Sequence, residues 1–426
     1  MSALFLVFIL LLLLLLGVPV AVSLGLASLT TMLLFGDQTL LVLGQRFFHT
    51  TQVYPLLAIP FFILAGAFMT TGGVARRMVA FANALVGHFR GGLAMAALLA
   101  CAFFAAVSGS SPATVVAVGS VMIAGMVNSG YTKKFASGVI CNAGTLGILI
   151  PPSLVMVVYG AITESSIGRL FMAGIIPGIV LTMALMLAVS VIAHLKNLPR
   201  QERSDFKTIL RTFREALWGM LLVVIILGGI YAGIFTPTEA AAVSAVYACF
   251  IAVFVYKDIS IKDIPRVLVD SARMTTMLMF IIANAYMFAF LLTTEQIPQL
   301  ISEWIFSLGL PVWGFLLVLN LLLLVAGNFM EPSSVVLIIT PIIFPIAMDM
   351  GIDPIHLGVL MVINMEIGLI TPPVGLNLFV TAGVADMSLE EVIRAAAPWL
   401  IIMFSVLMLI TYVPWLSLVL PGILLD

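Results

Sequence analysis

The chain contains two Pro-Pro pairs, and both interrupt long apolar stretches: Pro151-Pro152 within Gly147-Ile-Leu-Ile-Pro-Pro-Ser153, and Pro372-Pro373 within Gly368-Leu-Ile-Thr-Pro-Pro-Val374. They lie 221 residues apart, the interval that also separates Gly130 from Gly351, Gly147 from Gly368 and Pro177 from Pro398, while Pro112 and Pro332 are 220 apart. One inserted residue accounts for the difference. Gly233-Ile-Phe-Thr-Pro237 and the Ala-rich stretch behind it resemble Gly17-Val-Pro19 and its Ala/Ser stretch, which carries the duplication back to the N-terminus. The chain therefore reads as two repeats, 1–195 and 215–426, joined by a connector at 196–214. Repeated halves with interrupted apolar segments are a signature of secondary transporters.

Composition sets the solvent. Of 426 residues, 63% are hydrophobic and only 9% charged, where a soluble domain carries roughly 25% charged residues. An all-α integral membrane protein follows, with membrane lipid around it and no soluble domain left over. Apolar stretches run over 3–35 with a break at Gly17-Val18-Pro19, then 54–71, 135–160, 168–194, 216–233, 239–256, 274–294, 355–383 and 392–420; counting the first as two short helices gives roughly ten spans. The first span opens without a basic side chain and no small-residue cleavage pattern follows, so it reads as a retained helix. A net charge of −1 and short basic clusters give no footprint for nucleic acid. Cys101, Cys141 and Cys249 lie far apart with no metal-ligand spacing and read as packing residues. The 75–90 and 258–273 stretches read as amphipathic interfacial helices.

Two segments, 91–128 and 312–348, differ from the spans. Each is cut in its middle by small, polar and proline residues, Ser108-Gly-Ser-Ser-Pro-Ala-Thr114 and Gly327-Asn-Phe-Met-Glu-Pro-Ser-Ser334. Proline removes a donor, and Ser, Gly and Asn favour turns and N-caps, so each cluster ends one helix and starts another. Both read as re-entrant helical hairpins; a helix merely kinked at proline is the alternative, which repetition argues against. The Pro-Pro segments read as broken helices.

Lys and Arg concentrate in short cytoplasmic loops. Lys196, Arg200, Arg203, Lys207, Arg211 and Arg214 crowd the connector, which places it in the cytoplasm. Counting outward leaves only Arg46 and Arg169 on the far side, with the first hairpin opening to the cytoplasm and the second to the outside. The repeats are thus inverted in topology.

Inverted repeats with discontinuous helices set binding sites near the bilayer midplane. One Na⁺ site per hairpin is expected. The first draws on Ser108, Ser111, Gly144 and Gly147; the second on Gly327, Asn328, Glu331, Gly368 and Thr371, with further backbone oxygens from Ile148 and Ile370 and hydroxyls from Ser333 and Ser334. Pro112, Pro151, Pro152, Pro332, Pro372 and Pro373 shape the tips and breaks. With no Lys or Arg in hairpins or breaks, a substrate carboxylate is expected at helix N-termini and at Ser110, Ser111, Thr114, Thr371 and Asn377. Glu331 either ligates an ion or braces its tip, Glu366 is a second intramembrane carboxylate, and Glu239 complements a helix start. No Walker lysine motif is present, so an ion gradient is the expected energy source, with no other cofactor. Glu331 and Glu366 lack the nucleophile, metal ligands or His partner that would make them an enzyme's carboxylate pair, and the four histidines are scattered.

Ala58-Ile-Pro-Phe-Phe62, Gly72-Gly-Val-Ala-Arg-Arg77, Gly87-His-Phe-Arg-Gly-Gly92, Ser108-Gly-Ser-Ser-Pro-Ala-Thr114 and Gly144-Thr-Leu-Gly-Ile-Leu-Ile-Pro-Pro-Ser153 resemble the large membrane subunit of tripartite ATP-independent periplasmic (TRAP) transporters, over essentially the whole chain. The resemblance implies an elevator mechanism in a bacterial inner membrane. It also implies a small four-helix membrane subunit and a periplasmic substrate-binding protein as partners, and an organic acid as substrate with Na⁺ as coupling ion. The wording is most similar to that of C4-dicarboxylate members, and sialic-acid members share the scaffold. A stand-alone Na⁺/carboxylate symporter is the alternative.

Overall fold

A computed structural model describes residues 2–35, 40–50, 52–307 and 309–424. Among them every regular element is helical. The first repeat holds α1 (Ser2–Leu15), α2 (Val20–Phe35), α3 (Leu40–Thr50), α4 (Ala58–Thr71), α5 (Val74–Val86), the hairpin arms α6 (Gly92–Ser108) and α7 (Ser111–Asn128), the broken helix α8 (Lys133–Ala143), α9 (Leu146–Leu149) and α10 (Leu154–Thr163), and α11 (Ile167–Leu195). Then come α12 (Phe206–Val223), continued by a π-type turn into α13 (Gly229–Tyr231), α14 (Pro237–Phe250), α15 (Ile264–Thr294), α16 (Ile297–Ser307), the arms α17 (Val312–Phe329) and α18 (Pro332–Asp349), the broken helix α19 (Pro354–Gly368) and α20 (Leu376–Ala385), α21 (Leu389–Tyr412) and α22 (Trp415–Leu424).

The duplication is visible in three dimensions. The hairpin α6–α7 answers α17–α18, α8–α10 answers α19–α20, and α11 answers α21, each of the last two carrying an internal proline, Pro177 or Pro398. The two hairpins open at opposite ends of the bundle. At one end Tyr131 Oη and Gly91 N both donate to Pro199 O, and Lys133 Nζ donates to Asp386 O. At the other, Tyr412 Oη donates to Trp313 O and Tyr159 Oη to Pro354 O. A 24-residue helix, α21, spans the distance between them, roughly 36 Å. The arms are 17 or 18 residues long, roughly 26–27 Å, so each hairpin reaches deep into the bundle. Ten helices among the described residues are long and apolar enough to cross a membrane, three of them hairpin arms.

Several elements depart from the sequence reading. The 258–273 stretch is no separate interfacial helix: after a short turn it runs unbroken into the span as α15, because nothing between Pro265 and Thr294 can stop a helix. The last stretch is two helices, since Pro414 separates α21 from α22. Two 11-residue helices, α3 and α16, were not expected. α3 turns Leu43 and Phe47 towards Met32 and Met287, and α16 packs on α18.

The hairpins and broken helices form the core. Around them α4, α5, α12, α14 and α15 make a second group in which α4 packs closely on α14 and α5 on α6 and α12. The two repeats are clasped at the connector end: Asp258 pairs with Arg77 at 2.5 Å and Arg76 at 3.2 Å, while the Arg77 guanidinium lies 3.8 Å over the Tyr256 ring. Tyr256 Oη in turn donates to Glu215 O at 2.6 Å, tying α14 to α12.

Candidate functional site

Each hairpin tip is seated backbone to backbone on the opposing helix break. In the first half α6 ends at Ser108 and Gly109 takes φ +59, a left-handed turn only glycine adopts without strain. Ser110 is extended, and Ser111 and Pro112 open α7, whose first turn needs no donor from proline. A Cβ on Gly147 would lie 2.5 Å from Ser110 O and 2.8 Å from Ser111 N, and one on Gly109 would lie 2.6 Å from Pro152 O. Glycine is therefore what lets break and tip meet. Ser108 Oγ and Thr114 Oγ1 are 3.0 Å apart, and Thr114 Oγ1 donates to Ser110 O at 2.9 Å. Ser108, Ser111 and Thr114 are buried. Gly144 lies one turn away from this contact, against Val115.

The second half repeats the arrangement with different side chains. A Cβ on Gly368 would lie 2.7 Å from Gly327 C and O, and Val374 N donates to Asn328 O at 3.1 Å. Asn328 Oδ1 is buried and has no hydrogen-bond partner among the described residues. Thr371 Oγ1 donates to Ile367 O at 2.7 Å and its N–H to Gly368 O at 3.3 Å. Glu331 braces the tip: Oε1 accepts from Ser333 Oγ at 3.0 Å, and Oε2 from Ser334 N at 3.2 Å and Ser334 Oγ at 3.4 Å, which caps α18 beside Pro332.

The expected residues thus fall into two groups, with one exception. Asn377 stands at the start of α20 in the second break, yet its Nδ2 donates to Ser111 Oγ at 2.7 Å and to Cys141 O at 3.3 Å. It belongs with the first hairpin tip and locks the two repeats together. The two breaks also differ in surroundings. Pro151, Pro152 and Ser153 are buried, whereas Pro372, Pro373 and Val374 are exposed.

A second polar feature escaped the sequence reading. Asn364 Nδ2 donates to Asn320 Oδ1 at 2.8 Å, and Asn320 Nδ2 to Thr411 Oγ1 at 2.9 Å, a buried ladder tying α17 to α19 and α21. The available signal was an asparagine inside an otherwise apolar run in each of α17 and α19. Two residues from that ladder, Glu366 is fully buried, and neither carboxyl oxygen has a hydrogen-bond partner among the described residues. Glu239 is structural: with Thr236 it forms a capping box at α14.

The sequence and the fold have counterparts among known proteins. Residues 7–416 match the family described as tripartite ATP-independent periplasmic transporter, DctM component. The chain is 62% identical over 400 residues to the C4-dicarboxylate TRAP transporter large permease protein DctM of Pseudomonas aeruginosa, a match covering 94% of both chains. It is 55% identical to the protein of the same name in Vibrio cholerae, over 100% of this chain and 99% of that one. Its fold is similar to the crystal structure of the Alcanivorax borkumensis YdaH transporter, with a TM-score of 0.60 at 16% identity over 98% of each chain. Duplicated hairpins seated on duplicated breaks in a multi-pass membrane chain, together with a family match over nearly its full length, make this protein a member of the DctM family, the large permease subunits of TRAP transporters.

Proposed function

We propose that this chain is the permease of a Na⁺-coupled, secondary active importer of an organic acid, a C4-dicarboxylate in the first instance. The observation that carries the reading is the repeated seating of a hairpin tip on a glycine of the opposing break, Gly147 under Ser110 and Gly368 under Gly327. Each seat brings backbone carbonyls and short hydroxyls together in an otherwise apolar bundle, the donor set a hard monovalent cation takes. One Na⁺ is held near Ser108, Ser111, Gly144 and Gly147, and another near Gly327, Asn328, Gly368 and Thr371, with Glu331 bracing the second tip. The substrate carboxylates sit at the hairpin N-termini beside Ser110, Thr114 and Thr371, and Asn377 holds Ser111 in place.

The core moves as a unit against the surrounding helices, in an elevator cycle. The surrounding group is widened by a small four-helix membrane subunit, and a periplasmic binding protein delivers the substrate to the outer face. The protein sits in the bacterial inner membrane with the 196–214 connector in the cytoplasm, where its basic residues belong. The names of the relatives support the dicarboxylate. Uptake of labelled succinate and sialic acid is to be measured in proteoliposomes holding this chain and its small subunit, with and without binding protein, across an inward Na⁺ gradient. Succinate uptake that needs both Na⁺ and binding protein is the expected result. Sialic-acid uptake instead would change the substrate, uptake without binding protein would make this a stand-alone symporter, and uptake indifferent to Na⁺ would refute the coupling.

A further inference from the structure

Away from the hairpin tips lies a cavity of about 1080 Å³. Its walls are the turn between α10 and α11, the α13–α14 junction, the last turns of α15, the far half of α18, and the polar face of α3. α11 starts on this wall at Ile167 and reaches the basic connector 29 residues later, roughly 43 Å away. The cavity therefore opens at the end opposite the connector, the outer face on the reading above. No residue of either hairpin tip or helix break lines it.

Charge singles out one residue in it. Of the 18 Lys and Arg, all but Arg46 and Arg169 lie on the connector side, and Arg46 lines the cavity. Its guanidinium stands 4.6 Å over the Phe290 ring, which orients it, yet it forms no ion pair with a described residue, although Glu164 lines the same cavity. No described residue accepts a hydrogen bond from its guanidinium. Tyr231 contributes a buried hydroxyl with no partner among the described residues, and Tyr286 Oη is held by Ala161 O at 3.3 Å. A forked cation on an aromatic plane, with an unpartnered phenol in the wall of the same cavity, is the chemistry that recognises a carboxylate. The volume exceeds what one small acid fills, as suits a place of capture rather than of tight enclosure. We infer that this cavity is an outer capture site for the carboxylate substrate, with Arg46 as its anion ligand and Tyr231 as a second donor, filled before the acid reaches the hairpin tips. It rests on the organic-acid import proposed above.

Occupancy can be read without transport, binding protein or Na⁺. In a Cys249→Ala background, Ser165→Cys on the cavity wall is labelled by a membrane-impermeant thiol reagent in Na⁺-free buffer, with and without succinate. Succinate is expected to slow labelling several-fold, with the protection lost in Arg46→Gln and partly kept in Arg46→Lys. Protection by sialic acid but not succinate would keep the site and change its acid. Equal labelling rates with and without either acid, or equal protection by an uncharged sugar alcohol, would overturn the inference. In the assembled system Arg46→Gln is expected to raise the KM for uptake about tenfold with kcat little changed; a loss confined to kcat would also overturn it. Because the labelling arm contains no Na⁺, failure of the coupling reading leaves it intact.

Discussion

Replacing Gly147 by alanine tests the seating of hairpin on break directly. The added Cβ would stand 2.5 Å from Ser110 O, and ordinary contact begins at 3.4 Å, so the tip must retreat by 3.4 − 2.5, about 0.9 Å. Neither partner is a flexible side chain: the opposing atoms are the backbone of Ser110 and Ser111. Overpacking of this kind costs about 1–3 kcal/mol. If ion binding requires the seated tip, that cost appears as weaker Na⁺ binding, about 5- to 150-fold at 1.4 kcal/mol per factor of ten. The assay is the Na⁺ dependence of succinate uptake in proteoliposomes, with thermal unfolding of the purified protein to confirm that it is folded. Gly125→Ala is the control, since its Cβ would meet nothing within 4 Å. A folded Gly147→Ala protein with the control's half-maximal Na⁺ concentration would refute the link between the seat and ion binding.

Other perturbations separate the remaining contacts. Asn377→Leu removes the donor to Ser111 Oγ and is expected to lower uptake at least tenfold with a loss of about 1–3 kcal/mol in stability; unchanged uptake would show that the repeats need no such tie. In the buried ladder, Asn364→Leu alone strands Asn320 and should unfold at lower temperature than the double variant Asn320→Leu/Asn364→Leu, by an interaction of about 0.6–1.7 kcal/mol; strict additivity in a double-mutant cycle would deny the coupling. At the connector end, Arg77→Ala loses both Asp258 and the Tyr256 ring and should lower thermal stability by about 1–2 kcal/mol, whereas Arg211→Ala, whose exposed partner Glu215 is 4.0 Å away, should change little.

The tips and breaks were legible because their residues are chemically unlike their surroundings: Ser-Gly-Ser-Ser-Pro and Pro-Pro have few roles in an apolar run besides ending helices. The α3 and α16 helices were not: both are amphipathic, but 11 residues of mixed polarity are too short to cross a bilayer, so a reading guided by long apolar stretches passes over them. The sequence reads Asn377 as a substrate ligand at the second break; its partner in the other repeat is set by how the halves interlock, which no local pattern encodes. Nor do the words Ile-Pro-Pro and Thr-Pro-Pro tell that one break is buried and the other exposed. That difference comes from the helices packed around them.

The bond between Asn377 and Ser111 also constrains how the protein is made. Ser111 and Asn377 are separated by 266 residues of sequence, which a ribosome adding about 5–20 residues per second takes roughly 13–50 s to synthesise. Throughout that interval the first hairpin sits in or at the membrane with the α20 side of α7 uncovered and the Ser111 hydroxyl lacking its donor. The first repeat is complete in sequence long before it is complete in structure. Two copies of the first half could not replace the whole, because the donor to Ser111 comes from the second, and a chain released at the connector leaves that hydroxyl without it.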